Sequence, residues 1–288
     1  MRWWWYHRVN TMPEIIKADG TTELFEGAKL EASLRRAGAA STTAQRIRQT
    51  IEATLPPLSQ TQEIYRKAFA LLRKEERPAA ARYSLRRAMF ELGPTGHPFE
   101  DFVAQIFEKE GWTVEWRRLI PGKCVTHEVD VYAKRGNERL AAELKYHNDP
   151  TYKTDIKTAL YVKARFDDIW QCDPALQTCP IDRGFLITNT KFTTQAVQYA
   201  NCAGIELLGW SYPLEGNLYD KIIAANIYPV TALTTLRKAE KRLLIDQGIV
   251  TSEMLKNNRE ALRGISVPPE RIGSIIAEID SLTAASFT

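Results

Sequence analysis

Several things are missing from this sequence, and each absence removes a class of function. No apolar run reaches the roughly 18 residues that a membrane-spanning helix needs, so no span is expected. The four cysteines, Cys124, Cys172, Cys179 and Cys202, form no Cys-x-x-Cys pair, which leaves out the common zinc and dithiol-redox motifs. They read as reduced thiols, mostly in the core, of a cytoplasmic protein. The 15 glycines build no Walker-type phosphate loop, so nucleotide hydrolysis is not expected. There is no low-complexity tract and no clear internal repeat. A strong charge of one sign is also absent: the net charge of +4 does not by itself argue for nucleic acid.

What is present is an ordinary globular composition, 44% hydrophobic and 26% charged. At 288 residues the chain has room for two or three domains. Its charge is unevenly spread: residues 1–93 carry +6, residues 94–228 carry −3 and residues 229–288 carry +1. The acidic middle is where a divalent cation would bind. Residues 1–12, with Trp3, Trp4 and Trp5, read as an extension without the apolar h-region of a signal peptide, and Met12 is a second candidate start.

Three segments follow the extension. In 13–93, Asp19-Gly20 marks a hairpin turn between short strands, and helical patterns lie at about 28–37, 42–54, 61–75 and 79–91. Pro56-Pro57 separates the second helix from the third, and Ser59 or Thr61 can cap the third. Gly93, Pro94, Gly96 and Pro98 form a linker. Residues 97–228 then read as a helix at 98–110, strands near 112–120, 125–133 and 139–146, and a long helix at 152–170. A strand at 184–188, a helix begun by Thr193 or Thr194, and a strand at 205–209 complete the segment. A meander followed by alternating helices and strands predicts an α/β domain with a mixed sheet flanked by helices. Residues 229–288 read as three short helices.

The chemistry concentrates in HEVDVYAKRGNERLAAELKYH, residues 127–147. Gly136-Asn137 suits a two-residue type II′ turn, which fixes the register. Asp130 then opposes Glu143, Val131 opposes Ala142, and Lys145 shares a face with Glu143. Two opposed carboxylates repel, and a sheet disfavours that pairing by some tenths of a kcal/mol. A bound Mg²⁺ reverses the sign, because it takes hard oxygen ligands at about 2.1 Å. A neighbouring ammonium suits phosphodiester hydrolysis. The same register also sets Glu128 against Lys145, which is an ordinary salt bridge. His127 and His147 flank the motif as polar strand-end residues or as catalytic groups. Lys153, Lys157 and Lys163 recur on the next helix as a solvated face or as contacts to a DNA backbone.

Asp130 with Glu143-Leu144-Lys145 resembles the Asp…(Asp/Glu)-x-Lys motif of the PD-(D/E)XK nucleases, in their Mrr-type restriction endonuclease branch. HPFEDFVAQIFEKEGWTV is similar to that branch's opening helix and strand. GFLITNTKFTTQAVQYANCAGIELLGW is similar to its closing strand–helix–strand. The resemblance implies a DNA endonuclease in which Asp130, Glu143 and the Leu144 carbonyl hold Mg²⁺, for which Mn²⁺ can substitute. It assigns Lys145 to the attacking water, and Glu100 to completing or supporting the site. Double-strand cutting by such an enzyme implies a homodimer.

EIIKADGTTELFEGAKLEASL and AAARYSLRRAMF resemble the two ends of an ATP-cone, a small nucleotide-binding regulatory module. This implies ATP or dATP as an effector, with Lys17 and Lys29 at its phosphates, Phe25 at its base and Thr61 offering a hydroxyl. Arg86 and Arg87 add positive charge. The last 60 residues loosely resemble helix-hairpin-helix modules, in which Lys238, Lys241 and Arg242 meet DNA or in which the helices serve packing. A reading from another class stays open: a nucleotide-responsive regulator that binds DNA or protein without cutting.

Overall fold

The structure is a computed structural model that describes residues 13–17, 19–170 and 180–284. The N-terminal extension with its tryptophans and Met12 lies outside the described residues, as do Cys172 and Cys179. The chain divides after Tyr83 into two compact units.

The first unit opens with strands β1 (Glu14–Ile16) and β2 (Thr22–Leu24), followed by helices α1 (Gly27–Arg36) and α2 (Ser41–Thr54). Strand β3 (Ser59–Gln60) leads into α3 (Thr61–Glu75) and α4 (Arg77–Tyr83). The predicted hairpin forms: β1 pairs antiparallel with β2, and β3 adds in parallel on its other side. Asp19 shapes the turn by accepting the Thr21 amide (3.1 Å) and hydroxyl (2.6 Å). The helices bury Leu34, Ile47, Ile51 and Leu72 against Ile15 and Phe25. Neither Ser59 nor Thr61 caps α3. Gln60 holds the cap position, and the Ser59 hydroxyl donates to the Pro56 carbonyl at 2.7 Å instead.

The single helix expected at 79–91 is two, because the chain breaks at Ser84 between α4 and α5 (Leu85–Phe90), and the unit boundary falls there. The second unit continues with α6 (His97–Lys109) and the meander β4 (Thr113–Pro121), β5 (Thr126–Arg135) and β6 (Glu138–Lys145). Next come β7 (Lys153–Thr154), α7 (Ile156–Ile169), β8 (Arg183–Thr188), β9 (Lys191–Phe192), α8 (Thr194–Ala203), β10 (Glu206–Leu208) and α9 (Leu218–Ala225). The helix expected from residue 152 starts at Ile156, because Lys153 and Thr154 pair with β9 and Asp155 takes the N-cap, accepting the Thr158 amide at 3.1 Å. The Thr193 hydroxyl caps α8 in the same way.

The main sheet has the order β10-β8-β6-β5-β4. Strands β4, β5 and β6 run antiparallel, while β6, β8 and β10 are parallel, so the sheet is mixed. One face carries Tyr132, Ala141 and Leu186 against Val162 and Phe166 of α7 and Ala196 of α8. The other face receives α6, whose Phe107 meets Phe185 edge-on.

Among the described residues the C-terminal segment holds four helices rather than three: α10 (Lys238–Asp246), α11 (Ser252–Asn257), α12 (Glu260–Gly264) and α13 (Pro269–Ala284), preceded by a 3₁₀ turn at Val230–Ala232. It packs within the second unit. Gln105 of α6 accepts the Thr251 hydroxyl at 2.8 Å, Lys109 pairs with Glu253 at 2.7 Å, and the buried Thr231 hydroxyl donates to the Ala88 carbonyl at 2.7 Å. Glu278, 4% exposed, accepts the amides and hydroxyls of both Thr234 and Thr235, so its buried charge is fully hydrogen-bonded.

Candidate active site

Gly136 adopts φ +58°, as the first position of a type II′ turn requires. Arg135 pairs with Glu138, and the register runs as expected from the turn to Val131 and Ala142. There the ladder opens. In place of a carbonyl, the Asp130 carboxylate accepts the Leu144 amide at 2.6 Å. On the other side β4 pairs through Trp116–Val131 and Arg118–Val129, skipping Arg117, which takes the left-handed φ of +48°. A non-glycine residue there carries on the order of 1 kcal/mol of strain. Asp130 thus lies at a gap in both of its ladders, free of the paired geometry that would turn it flat against Glu143.

Burial pushes the Asp130 carboxyl up to about 6, helped by the Glu143 charge, against the pull of the Leu144 amide. Glu143 is 3% exposed, and each of its oxygens meets a cation: Lys145 Nζ lies 2.6 Å from Oε1, and Arg165 Nη1 of α7 bonds Oε2. The alternative left open by the register is thereby decided, because Lys145 pairs with Glu143 and not with Glu128. Glu100, from the first turn of α6, is held by Arg117 (3.1 Å) and His97 (3.2 Å), and its charge reaches Asp130. Among the described residues no three His, Cys, Asp or Glu side chains converge as a ready metal cage. The candidate oxygen donors here are the Asp130 and Glu143 carboxylates and the backbone carbonyl of Leu144, whose amide already bonds Asp130. That fits a Mg²⁺-sized ion, which retains waters and commonly takes only one or two carboxylates from protein.

The end of β6 is fixed by buried groups that the sequence did not announce. Thr188, Asn189 and Thr190 are at most 1% exposed. The Thr188 hydroxyl donates to the Lys145 carbonyl (2.7 Å), and Asn189 exchanges two hydrogen bonds with the His147 backbone (2.8 and 2.9 Å). The His147 ring lies 3.2 Å from the Thr154 hydroxyl and stacks on Tyr152 with centroids 4.0 Å apart. Tyr146 turns the other way, accepting the Gly93 amide and donating to the Phe90 carbonyl, both at 2.8 Å.

His127 is a structural residue: it bonds Asp168 of α7 at 2.7 Å. The same carboxylate accepts the amides of Cys124 (2.8 Å) and Val125 (3.2 Å), and the Asp168 carbonyl accepts that of Lys123 (2.9 Å). This company, His127 foremost, holds the Asp168 carboxyl far below the usual range. The two described cysteines, Cys124 and Cys202, are exposed, which corrects the expectation of core thiols. Cys124 sits in this turn, and Cys202 in the last turn of α8. Lys163 pairs with Asp167, while Lys153 and Lys157 are exposed.

In the first unit, Phe25, Lys29 and Thr61 line one hollow of about 120 Å³ together with Glu23 and Glu26. Lys29 is tied to Glu26 (2.8 Å) and Lys17 to Glu23 (2.6 Å), and Phe25 is 4% exposed within the core. The hollow is smaller than the roughly 300 Å³ at which ligand pockets begin, so a nucleotide would have to open it. Arg86 and Arg87 belong to α5 of the second unit, where they bond the Pro150 carbonyl (3.2 Å) and Glu91 (2.9 Å). At the C-terminus, Lys241 donates to the Thr231 carbonyl (2.6 Å) and Arg242 to the Gly93 carbonyl (2.9 Å), whereas Lys238 is exposed.

Residues 93–210 match the restriction endonuclease family model, and residues 228–283 match the model described as AF1548-like, C-terminal. An uncharacterized protein of Archaeoglobus fulgidus is 32% identical over 176 residues, which is 61% of this chain and 97% of that protein. The crystal structure of the protein of unknown function AF1548 superposes with a TM-score of 0.52 at 31% identity, over 67% of this chain and all of that one. A weaker likeness, too low to bear on function, is to the MspJI restriction endonuclease in complex with a 27-mer oligonucleotide. Its TM-score is 0.32 at 12% identity, over 73% of this chain and 37% of that one. Among the described residues no helix is long and apolar enough to cross a membrane. The chain belongs to the AF1548-like family, with a restriction-endonuclease-like domain ahead of that family's C-terminal helices.

Proposed function

We propose that this chain is a metal-dependent DNA endonuclease of PD-(D/E)XK type. The observation that supports it best is the gap in the ladder at Asp130, which leaves one carboxylate beside a second, Glu143, with Lys145 on the same strand end. Asp130, Glu143 and the Leu144 carbonyl would hold Mg²⁺ or Mn²⁺. The bound ion supplies charge that polarises a phosphoryl group. Lys145 orients the attacking water and meets the charge that builds on the phosphate oxygens. Glu100 supports Asp130 from α6. Cutting both strands would call on a homodimer, and a cytoplasmic role in restriction, defence or repair agrees with this chemistry.

Plasmid DNA incubated with the protein and Mg²⁺ is expected to be nicked or linearised, and EDTA to stop it. Lys145→Ala should lower the rate by about 10²- to 10³-fold, the usual loss for one charge-stabilising donor. Cleavage by Lys145→Ala at a rate within about tenfold of wild type would sink the assignment.

The first unit we read as an ATP-cone-like regulator, because Lys29, Thr61 and Phe25 border one hollow with Lys17 close by through Glu23. ATP or dATP at millimolar concentration should raise the melting temperature, and Lys17→Ala should shrink the rise. No shift with either nucleotide would make the unit purely structural. The second reading, a nucleotide-responsive DNA-binding regulator with a decayed site, is favoured by the complete neutralisation of Glu143 by Lys145 and Arg165. The plasmid assay separates the two.

A further inference from the structure

Glu143 is nearly buried, yet it holds two cations where one would neutralise it. The second, Arg165, comes from α7 and has anchors of its own. Its Nη1 also donates to the Glu128 carbonyl (3.1 Å), its Nη2 bonds the Tyr161 hydroxyl, and the guanidinium lies 4.9 Å from the Tyr161 ring centroid. The side chain is 17% exposed. A guanidinium fixed at three points is pre-organised, and releasing one point leaves it in place. Among the described residues, Lys145 meets Glu143 and, at 5.8 Å, the face of the same Tyr161 ring.

Within the four groups that meet at Glu143 the formal charges cancel: Asp130 and Glu143 give two negative charges, Lys145 and Arg165 two positive ones. Beside them, Arg117 is shared between Glu100 and Asp101. A divalent ion therefore leaves two positive charges unmatched. A phosphodiester brings one negative charge, and hydrolysis develops a second on its oxygens.

Resting on the endonuclease reading above, we propose that Arg165 is a substrate-phosphate residue. It stays on Glu143 until a divalent ion claims that carboxylate, and so couples ion loading to DNA binding. An ion arriving alone meets two cations on its own ligand. When a phosphate arrives with it, Arg165 trades one oxyanion for another, and guanidinium groups bind both carboxylates and phosphates well. Tyr161 and the Glu128 carbonyl keep it within reach during the exchange. Coupling of this kind is reciprocal: DNA tightens the ion as much as the ion tightens DNA.

The test is a Mn²⁺ titration of the full chain, read by electron paramagnetic resonance, with and without a short phosphorothioate duplex that resists hydrolysis. In wild type the duplex should tighten Mn²⁺ binding by about tenfold or more, the scale of a typical coupling between sites. Arg165→Met should bind Mn²⁺ alone about tenfold more tightly than wild type, the effect of removing a unit charge a few ångströms from a divalent ion. The duplex should then add little. Arg165→Lys, which keeps the charge, should bind Mn²⁺ alone within about threefold of wild type, and it serves if the Met variant does not fold. Structural damage would weaken Mn²⁺ binding in both arms, and that result, or an intact duplex effect in Arg165→Met, overturns the coupling. If wild type binds no Mn²⁺, or Asp130→Asn binds it as wild type does, the endonuclease reading fails and this proposal with it.

Discussion

Asp130→Asn should end divalent-ion binding and DNA cleavage together while making the ion-free protein more stable at neutral pH. The opposite directions follow from one cause. Desolvation and the neighbouring Glu143 raise the Asp130 carboxyl from 3.8 to about 6. The native state therefore holds this proton more tightly than the unfolded chain does. The sign for a raised carboxylate is that its contribution is most favourable below pH 3.8 and is lost as pH rises through 6. A shift of about two units corresponds to roughly 2–3 kcal/mol of destabilisation by pH 7. Asparagine removes the charge, and its side-chain oxygen can still accept the Leu144 amide that the carboxylate holds at 2.6 Å. Urea denaturation at pH 4.5 and 7 checks this: the variant's advantage should appear at pH 7 and shrink in acid. A variant less stable than wild type at pH 7 would mean that the carboxylate is not strained in the ion-free site. A variant more stable than wild type at pH 7 makes Asp130 a residue placed where it helps an ion and harms the fold.

Phe166→Ala should cost about 3–5 kcal/mol, the usual loss for a fully buried phenyl ring. Phe166 is 0% exposed, packs with Val162, Leu186 and Ala196, and lies 5.6 Å from the Trp170 ring. Gly184 of β8 makes the space for it: a Cβ there would come within 2.5 Å of the ring. Since a domain has roughly 5–15 kcal/mol of total stability, this single ring is a large share. It also seats the helix that presents Arg165 and Asp168 on either side of it. The denaturation midpoint should fall without a change in slope. A loss under about 1 kcal/mol would show that neighbouring side chains collapse into the space.

The hairpin was legible because its determinants are local. Gly136-Asn137 sets the register as far as Val131 and Ala142, and period-two alternation sets the faces of Asp130 and Glu143 just beyond it, although the two are not paired in the ladder. The opening of the ladder at Asp130 was not legible, since it goes with a left-handed Arg117 in the adjacent strand that no glycine marks. Arg165 was invisible for a different reason. It lies 22 residues beyond Glu143, and only the packing of α7 on the sheet brings them together. The lysines of the same helix read as a solvated face, and nothing local sets this arginine apart from them. The sequence reads Thr188 as the end of a strand and Thr154 as part of a helix, and the burial of both, with Asn189 beside them, rests on strand ends meeting in space. The helix expected across 79–91 failed because Ser84 gives no stronger break signal than its neighbours.

The turn between β4 and β5 has one more consequence. Lys123, Cys124 and Val125 are exposed at a hairpin tip with a basic residue, the kind of place where proteases cut a native chain. A protease, however, must draw its substrate backbone into an extended form. Here three successive amides are engaged by a single residue of α7, Asp168, through its carbonyl and both carboxylate oxygens. Freeing the tip means giving up all three bonds at once, along with the His127 contact. Trypsin should therefore leave the Lys123 peptide intact in the folded protein, although its side chain is in plain view of solvent.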